Sequence, residues 1–228
     1  APLSASEINV LRKRRFDHYR VDVFLFMADW NTLANSAFYE AKELGYQIEL
    51  ALFMDENAIK QVTEFIDWAT EKQAKIAVVS IFHKDYSYTP DYMTDTVSPV
   101  LKNAFPDIKI ACGTNANFAQ LNRNRPESAH HDLICYSIHP QEHASDNLTL
   151  IENLQAQKYT AESCATFANR KGIWISPVNI QRRFNANIEK FESPVRARVL
   201  PPQVDSRLMS LFGACWAAGS LKYLCESD

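Results

Sequence analysis

The sequence predicts an α/β fold of the (β/α)8 TIM-barrel type, and three observations support that class. Strand-like and helix-like segments alternate along the 228 residues, which is the pattern of a parallel sheet. The predicted strands begin about 31 residues apart on average, close to the length of one strand–helix unit. Polar side chains recur on one face of the early strands, where the interior of a barrel can hold them. An open, doubly wound sheet is the alternative. Because helices cover both faces of such a sheet, it has no place for these polar side chains.

The first half of the chain predicts three helices and three strands. Ser4 and Glu7 form a capping box that starts the opening helix. Gly45 is suited to the left-handed conformation that ends the next helix. The second and third strands are apolar on both faces, as in strands buried between two layers. Helices are predicted over residues 3–15, 32–44 and 57–72, and strands over residues 18–26, 47–53 and 75–82.

The second half of the chain continues the alternation. Pro99 predicts an interruption in a helix over residues 90–105, because proline lacks a backbone donor. The remaining strands are predicted over residues 108–113, 132–139 and 172–178, and the remaining helices over residues 148–170 and 204–226.

Six predicted strands are two fewer than a closed barrel contains. Since the chain begins and ends with a predicted helix, we expect the missing strands to be the first and the eighth, which are neighbours in a closed barrel. We therefore predict a single, incomplete barrel domain over residues 1–228. Exposed parallel edges favour association, so self-association or flanking segments are expected to complete the barrel.

The composition excludes several functional classes. Glycine occurs 5 times in 228 residues, where ordinary usage of roughly 7% gives about 16, and the five cannot form a glycine-rich phosphate loop. The net charge of −3, without a long basic run, predicts no nucleic-acid partner. No apolar run approaches the roughly 20 residues that span a bilayer, so we expect no membrane partner. The five cysteines form no C-x-x-C pair, and three of them lie in apolar runs, so reduced packing thiols are expected.

Polar side chains are concentrated directly after the predicted strands, at the end of a barrel where active sites lie. Amides, imidazoles, carboxylates and aromatic rings are mixed there, which suits a polyhydroxylated ligand. Asn179 and Arg182 follow the last predicted strand. Asn115 and Asn117 follow an earlier strand, with the alternate spacing that points both side chains the same way. Loop stabilisation is the alternative role of these two asparagines.

Two carboxylates occupy the middle of the first two predicted strands. Asp22 and Glu49 share the face that also carries Arg20. Either carboxylate is a candidate general acid or base, because a low-dielectric interior shifts carboxyl pKa values. The alternative is a buried ion network with Arg20 that only fills the barrel interior.

Two histidines lie at the end of the predicted strand over residues 132–139 and in the loop after it. His139 and His143 have the spacing of two metal ligands on a helix, but Pro140 between them disfavours a helix. We therefore predict no metal and no other cofactor. A role in contacting substrate or in taking up a proton is the hypothesis for one of these histidines.

Four long segments and the opening of the chain resemble the bacterial D-apionate (D-apionolactone) lactonase family. The stretches P-Q-x-H-A and P-P-Q-V-D-x-R carry the most specific part of the resemblance. The similar segments are GTNANFAQLNRNRP (113–126), DLICYSIHPQEHASDNLTLIENLQAQ (132–157), SPVNIQRRFN (176–185), LPPQVDSRLMSLFGACWAAGSLKYL (200–224) and LSASEINVLRKRRFDHYRVDV (3–23).

The resemblance implies a TIM-barrel domain distantly similar to clan A glycoside hydrolases, in a cytoplasmic enzyme of apiose catabolism. The implied reaction is hydrolysis of a branched-sugar lactone to its open aldonate, so the expected partner is a small sugar lactone or sugar acid. Carried over by position, the matching loop residues are Asn115, Asn117, Asn122, Arg123, Gln141, His143 and Arg182.

Three functional classes remain open from the sequence. Lactone opening needs a base to activate water and donors to hold the oxyanion; His143 or Glu49 is the predicted base, and Asn115, Asn117 and Arg182 are the predicted donors. A glycoside hydrolase would instead use Asp22 and Glu49 as paired carboxylates at about 5 to 5.5 Å or 6.5 to 9.5 Å. The third class is a barrel fragment that binds sugar without catalysis.

Overall fold

The computed structural model describes residues 3–14, 16–141, 143–183 and 204–227. Within these ranges six strands alternate with helices and follow one another in the sheet in chain order. Residue 15, where the predicted first helix ends, lies outside the described residues. The strands are β1 His18–Phe24, β2 Gln47–Met54, β3 Ile76–His83, β4 Lys109–Gly113, β5 Leu133–Ile138 and β6 Gly172–Val178.

Helices connect these strands, and the registers confirm the predicted α/β class. The pairs β1–β2, β2–β3, β3–β4 and β5–β6 are all parallel. Parallel neighbours require crossover connections, which the helices supply. The helices are α1 Ala5–Arg12, α2 Trp30–Leu44, α3 Ala58–Glu71, α4 Asp91–Ala104, α5 Phe118–Arg123, α6 Asn147–Glu152, α7 Ala156–Ala165 and α8 Leu211–Cys225, with a 3-10 turn at Ser206–Met209.

The chain divides into two compact units. Unit 1 comprises residues 1–84, 89–112 and 127–132. Unit 2 comprises residues 85–88, 113–126 and 133–228. Each unit has its own strands, helices and buried side chains, and each is described separately below. The single-domain organisation expected from the sequence stays a prediction.

The core of unit 1 lies between one face of its strands and the helices α2, α3 and α4. Alternate residues of β2, such as Leu50 and Leu52, point into it and have no exposed area. Helix α3 contributes Val62 and Phe65, whose spacing of three residues places both on one helical face. Burial of each such side chain stabilises the fold by roughly 1.5 to 3 kcal/mol, so this core anchors the strands that carry the charged residues on the opposite face.

Among the described residues, the core of unit 2 includes two clusters of buried side chains. One contains Ile134 and Tyr136 of β5, packed with Cys164 of α7. The other contains Leu150 of α6 and Trp216 of α8. Burial raises the pKa of the Cys164 thiol to about 11, so this cysteine is a neutral packing group at neutral pH.

None of the helices in the described part of the chain combines the length and the apolar character needed to cross a membrane.

The interruption predicted near Pro99 is wrong. Helix α4 continues through this proline from Asp91 to Ala104. Met93, Val97 and Leu101 on its inner face are buried in the core of unit 1. The single backbone hydrogen bond that proline removes is outweighed by the burial of this face.

Two other predicted helices are each divided in the structure. The helix expected over residues 148–170 is replaced by α6 and α7, and Asn153 between them donates a side-chain hydrogen bond to the Thr149 carbonyl. Such local side-chain bonds compete with helix continuation. The helix expected over residues 204–226 begins as the 3-10 turn capped by Asp205, and Ser210 then caps α8. The sequence analysis also missed the short helix α5.

The end of β4 requires glycine at position 113. Gly113 has a φ of +147°, and a Cβ atom there would clash with the backbone oxygen of Cys135. Gly113→Ala is therefore expected to lower the free energy of unfolding by roughly 3 kcal/mol, through backbone strain and a clash that only strand movement relieves. Urea unfolding measures this loss.

Gly45→Ala is the matched control for Gly113→Ala. Gly45 also has a positive φ, of +77°, but nothing lies within 4 Å of the added Cβ. Its replacement is expected to cost only about 1 kcal/mol, the penalty of the left-handed backbone. Equal losses in the two variants would contradict the close approach of β4 to Cys135.

Candidate active site

Four side chains form a charged layer on the face of β1 and β2 opposite the helices: His18, Arg20, Asp22 and Glu49. Arg20 donates from Nη1 to Glu49 Oε1 at 2.8 Å and from Nε to Asp22 Oδ1 at 3.1 Å. His18 Nε2 lies 3.4 Å from Glu49 Oε2. The parallel register pairs Arg20 with Glu49, so the structure brings together the three charged residues that the sequence predicted on this face.

Burial of the charged layer makes its pairing necessary. The side chain of Glu49 is 1% exposed, and those of Arg20 and Asp22 are 11% and 14% exposed. A buried charge without a partner is strongly destabilising, so each of these groups depends on the others. The hydrogen bond with Glu49 raises the pKa of His18. Stabilisation by protonated His18 is therefore complete below its unfolded pKa of about 6.5 and is lost as the pH rises through the raised value.

Three phenyl rings follow the charged layer toward the carboxyl ends of the strands. Phe24, Phe53 and Phe82 are aligned in the register of β1, β2 and β3. Their ring centroids are 4.9 Å apart for Phe24 and Phe53 and 5.2 Å apart for Phe53 and Phe82. Phe53 lies four residues beyond Glu49, about 13 Å along the strand. Glu49 thus lies deeper in the strand than this phenyl layer, away from the carboxyl end.

Polar groups of unit 1 also lie at the ends of β2 and β3 or directly after them. His83 has a fully buried side chain, and its Nε2 lies 3.3 Å from Oε1 of the exposed Glu56. Lys84 Nζ lies 5.7 Å from the centroid of the Phe26 ring, within the range of a cation–π contact. The predicted concentration of polar side chains after these strands is therefore present in unit 1.

In unit 2, the loop between β4 and α5 holds the two predicted asparagines. Asn115 is 9% exposed, and its backbone oxygen accepts a hydrogen bond of 3.1 Å from Ser137 Oγ in β5. Asn117 is the N-cap of α5, and its side-chain oxygen accepts from the Gln120 N–H at 3.3 Å. The side-chain oxygen of Asn117 thus stabilises the loop, which is the alternative role considered for these two residues.

The other predicted residues of unit 2 differ in exposure. His139 is buried, at 7% exposure, whereas His143 in the loop after β5 is exposed. Asn179 is half-buried, and its backbone N–H donates to the Ile138 carbonyl at 2.9 Å. Arg182 is half-buried in the segment after β6, and Arg123 is exposed at the end of α5. His143 is therefore the more accessible of the two predicted histidines.

Gln141, Asp205 and Arg207 form a carboxylate clamp in unit 2. Gln141 Nε2 donates to Asp205 Oδ2 at 2.6 Å. Arg207 binds both oxygens of the same carboxylate, from Nε at 2.9 Å and from Nη2 at 2.7 Å. The guanidinium also donates to the Ser145 carbonyl and to Asn147 Oδ1, each at 2.8 Å. The clamp therefore joins the loop after β5 to the 3-10 turn and holds Gln141 and the loop that contains His143.

Asp205→Asn is expected to lower the free energy of unfolding by about 2 kcal/mol at pH 7, because it weakens charge-assisted hydrogen bonds. The hydrogen bonds from Arg207 hold the pKa of Asp205 well below its usual range. The contribution of the ionised carboxylate is complete above its unfolded pKa of about 3.9 and is lost as the pH falls through the lowered value. Urea unfolding should therefore give the same difference between variant and wild type at pH 7 and pH 5, and a smaller one at pH 3.

Asp67→Asn, at an exposed position of α3, is the control for Asp205→Asn. It should leave the free energy of unfolding within about 0.5 kcal/mol of wild type. A difference for Asp205→Asn that grows below pH 4 would contradict the sign of the linkage.

The roles of Asp205 and Arg207 were not predicted from the sequence. Both residues lie in the stretch P-P-Q-V-D-x-R, which was used only as part of a resemblance. An Asp two residues before an Arg was a usable signal, because an Asp at the start of a turn accepts from the backbone N–H two residues on, as Asp205 Oδ1 does from Arg207 at 2.9 Å. Among the described residues, no group of three or more His, Cys, Asp or Glu side chains is placed to hold a metal ion.

Parallel strands alternating with helices, with polar side chains collected after the strands, define a TIM-barrel domain of the kind that carries a site at the carboxyl ends of its strands. The particular family follows from comparison with known proteins. The family described as "D-apionate lactonase, TIM barrel domain" matches residues 1–228. The chain belongs to this family, which confirms the resemblance and the fold class predicted from the sequence.

Two solved structures are also similar to this chain. The endo-β-1,4-mannanase from Thermotoga petrophila has a TM-score of 0.45 and 9% sequence identity, over 77% of this chain and 57% of the mannanase chain. The β-D-glucuronidase from Dictyoglomus thermophilum has a TM-score of 0.45 and 12% identity, over 81% of this chain and 34% of that chain. The present chain therefore spans less than two thirds of the length of either structure. No curated protein matches the sequence.

Proposed function

We propose that this protein is a cytoplasmic carbohydrate-active hydrolase that opens a sugar lactone of the D-apionolactone type to the aldonate, in apiose catabolism. The observation that carries the proposal is membership of the D-apionate lactonase TIM-barrel family along residues 1–228. The amides, imidazoles and guanidinium groups after the strands support it, because a lactone with several hydroxyl groups needs donors and acceptors of this kind.

His143 is proposed as the general base. It is exposed in the loop after β5, a position where a side chain can reach substrate. In the reaction, His143 takes a proton from water as the hydroxide oxygen adds to the lactone carbonyl. The ring C–O bond then breaks, the protonated histidine returns the proton to the departing oxygen, and the carboxyl product ionises to the aldonate.

Other residues of unit 2 are assigned to substrate binding. Asn115 and Arg182 are the proposed donors to the carbonyl oxygen as it becomes negative. The side-chain amide of Gln141 donates a hydrogen bond to Asp205. This bond fixes Gln141 in the loop that also contains His143. His139, Asn179 and Arg123 are the further candidates for contacts with the hydroxyl groups. The side-chain oxygen of Asn117 caps α5, and only its amide nitrogen is assigned to substrate.

The charged layer of unit 1 is assigned a structural role. Glu49 is 1% exposed and accepts hydrogen bonds within the layer, so it is a poor candidate for activating a water beside substrate. Asp22 and Glu49 bind the same guanidinium, that of Arg20. Both carboxylates of the predicted glycosidase pair are thus already paired with a cation, and no feature of the layer favours glycoside hydrolysis.

A substrate panel tests the proposal. Acid release from D-apionolactone and other aldonolactones is measured by pH-stat, and cleavage of aryl glycosides is measured in parallel. Saturable opening of a lactone is the expected result. Cleavage of glycosides with lactones untouched would assign the protein to the glycosidases instead. If neither reaction occurs but a sugar acid raises the melting temperature, the protein is a binding domain and the proposal is wrong.

A further inference from the structure

We infer that Tyr86 and Tyr88 form an aromatic platform that stacks on the ring of the cyclic substrate, beside Asn115. The inference rests on the proposed function and adds a binding subsite to it. The two tyrosines belong to the segment of residues 85–88, which is part of unit 2.

A single hydroxyl group ties the tyrosine segment to the asparagine loop. Thr114 Oγ1 donates to the backbone oxygen of Ser87, between the two tyrosines. Thr114 Oγ1 also accepts a hydrogen bond from the N–H of Ala116 at 2.8 Å. Thr114 has no exposed area, so water does not compete for these bonds. The backbone of Ser87 is therefore held by Thr114, the residue directly before Asn115.

The asparagine loop is in turn fixed to β5. Ser137 Oγ donates to the backbone oxygens of Asn115, at 3.1 Å, and of Ala116, at 2.7 Å. The N–H of Ser137 also donates to the Ala116 oxygen at 2.8 Å. Ser137 lies next to the end of β5, one residue before Ile138. Hydrogen bonds thus continue from the tyrosine segment to the strand end from which the His143 loop departs.

The Tyr86 ring is partly exposed and contacts the ring of Tyr88. The ring centroids of Tyr86 and Tyr88 are 5.7 Å apart with an interplanar angle of 58°, an arrangement that attracts aromatic rings. Tyr86 is 42% exposed. One ring therefore presents a flat apolar surface while the other supports it.

A five-membered sugar lactone matches this surface in two ways. The C–H groups on one face of its ring can pack on the Tyr86 ring, while its hydroxyl groups hydrogen-bond with Asn115. Hydrolysis breaks the ring C–O bond and destroys the flat ring face. The platform therefore binds the cyclic substrate better than the open aldonate, which favours release of product.

Tyr86→Ala tests the platform, with Tyr86→Phe as the variant that keeps the ring. Loss of the ring is expected to raise KM for the lactone roughly 5- to 10-fold, the size of one aromatic stacking contact, with kcat changed by less than about 3-fold because the platform binds the ring rather than the reacting carbonyl. Tyr86→Phe should remain within about 2-fold of wild type. Tyr39→Ala, at a 61% exposed tyrosine of α2, is the matched control and should change neither constant.

Calorimetry supplies a second readout that does not depend on turnover. The probes are a five-membered aldonolactam, in which an amide replaces the ester, and the corresponding open aldonate. Tyr86→Ala should weaken lactam binding by the same factor as KM and leave aldonate binding unchanged. Equal lactam affinity in Tyr86→Ala and wild type would overturn the platform even if the wild type opens lactones. Tyr86-dependent lactam binding without lactone opening would retain the platform and overturn the proposed function. The absence of both would overturn both.

Discussion

Arg20→Met is expected to lower the free energy of unfolding by about 3 to 5 kcal/mol, the cost of breaking a buried ion pair by removing one partner. Methionine keeps most of the side-chain volume but removes the hydrogen bonds to Glu49 and Asp22. Glu49, at 1% exposure, then loses its principal cation while remaining buried. Urea unfolding monitored by far-UV circular dichroism measures the loss.

Arg12→Met is the matched control for Arg20→Met. Arg12 also pairs with a glutamate, Glu43, but the two side chains are 53% and 40% exposed. An exposed pair of this kind contributes at most about 1 kcal/mol. The double variant Arg20→Met/Glu49→Gln should recover part of the stability lost in Arg20→Met, because the uncompensated charge is gone. Equal losses in the Arg12 and Arg20 variants would contradict the role assigned to the charged layer.

His143→Ala is expected to lower kcat for lactone opening by roughly 10²- to 10⁴-fold, the range for removal of a general base. KM should change little, because the base acts on water rather than on bound sugar. The side chain is exposed, so the variant should fold with a melting temperature close to that of wild type. Initial rates by pH-stat over a range of lactone concentrations separate kcat from KM.

Two variants control the assignment of the base. His130→Ala removes another exposed histidine, in a loop of unit 1, and should leave kcat unchanged. Glu49→Gln should lower stability while the folded protein keeps kcat within about 3-fold of wild type, because Glu49 is assigned to the charged layer. Loss of kcat in Glu49→Gln, with full activity in His143→Ala, would reverse the assignment made here.

The charged layer could be predicted from the sequence because its physical basis is local. Side chains alternate between the faces of a strand, so Arg20, Asp22 and Glu49 share the face opposite to Val21 and Leu50. The parallel register then places Arg20 beside Glu49. The helix ends were predictable for the same reason, since Gly45 and the capping box at Ser4 act within a few residues.

The carboxylate clamp could not be predicted because it depends on chain segments far apart in sequence. Gln141 and Asp205 are separated by 64 residues, and no periodic pattern relates them. The tie between Ser87 and Thr114 spans 27 residues and likewise follows from the fold. The capping role of Asn117 could not be predicted either. Its position after a strand suggested a ligand contact, but its side-chain oxygen caps α5, and this helix is too short to give a periodic signal in the sequence.

The central claim is that this protein opens a sugar lactone with His143 as the base. Its most direct test is the rate of acid release from D-apionolactone, measured for wild type and His143→Ala under the same conditions. We expect saturable release by wild type, proportional to protein concentration, and a rate at least about 100-fold lower for the variant. Release by wild type at only the uncatalysed rate, or equal rates for the two proteins, would contradict it.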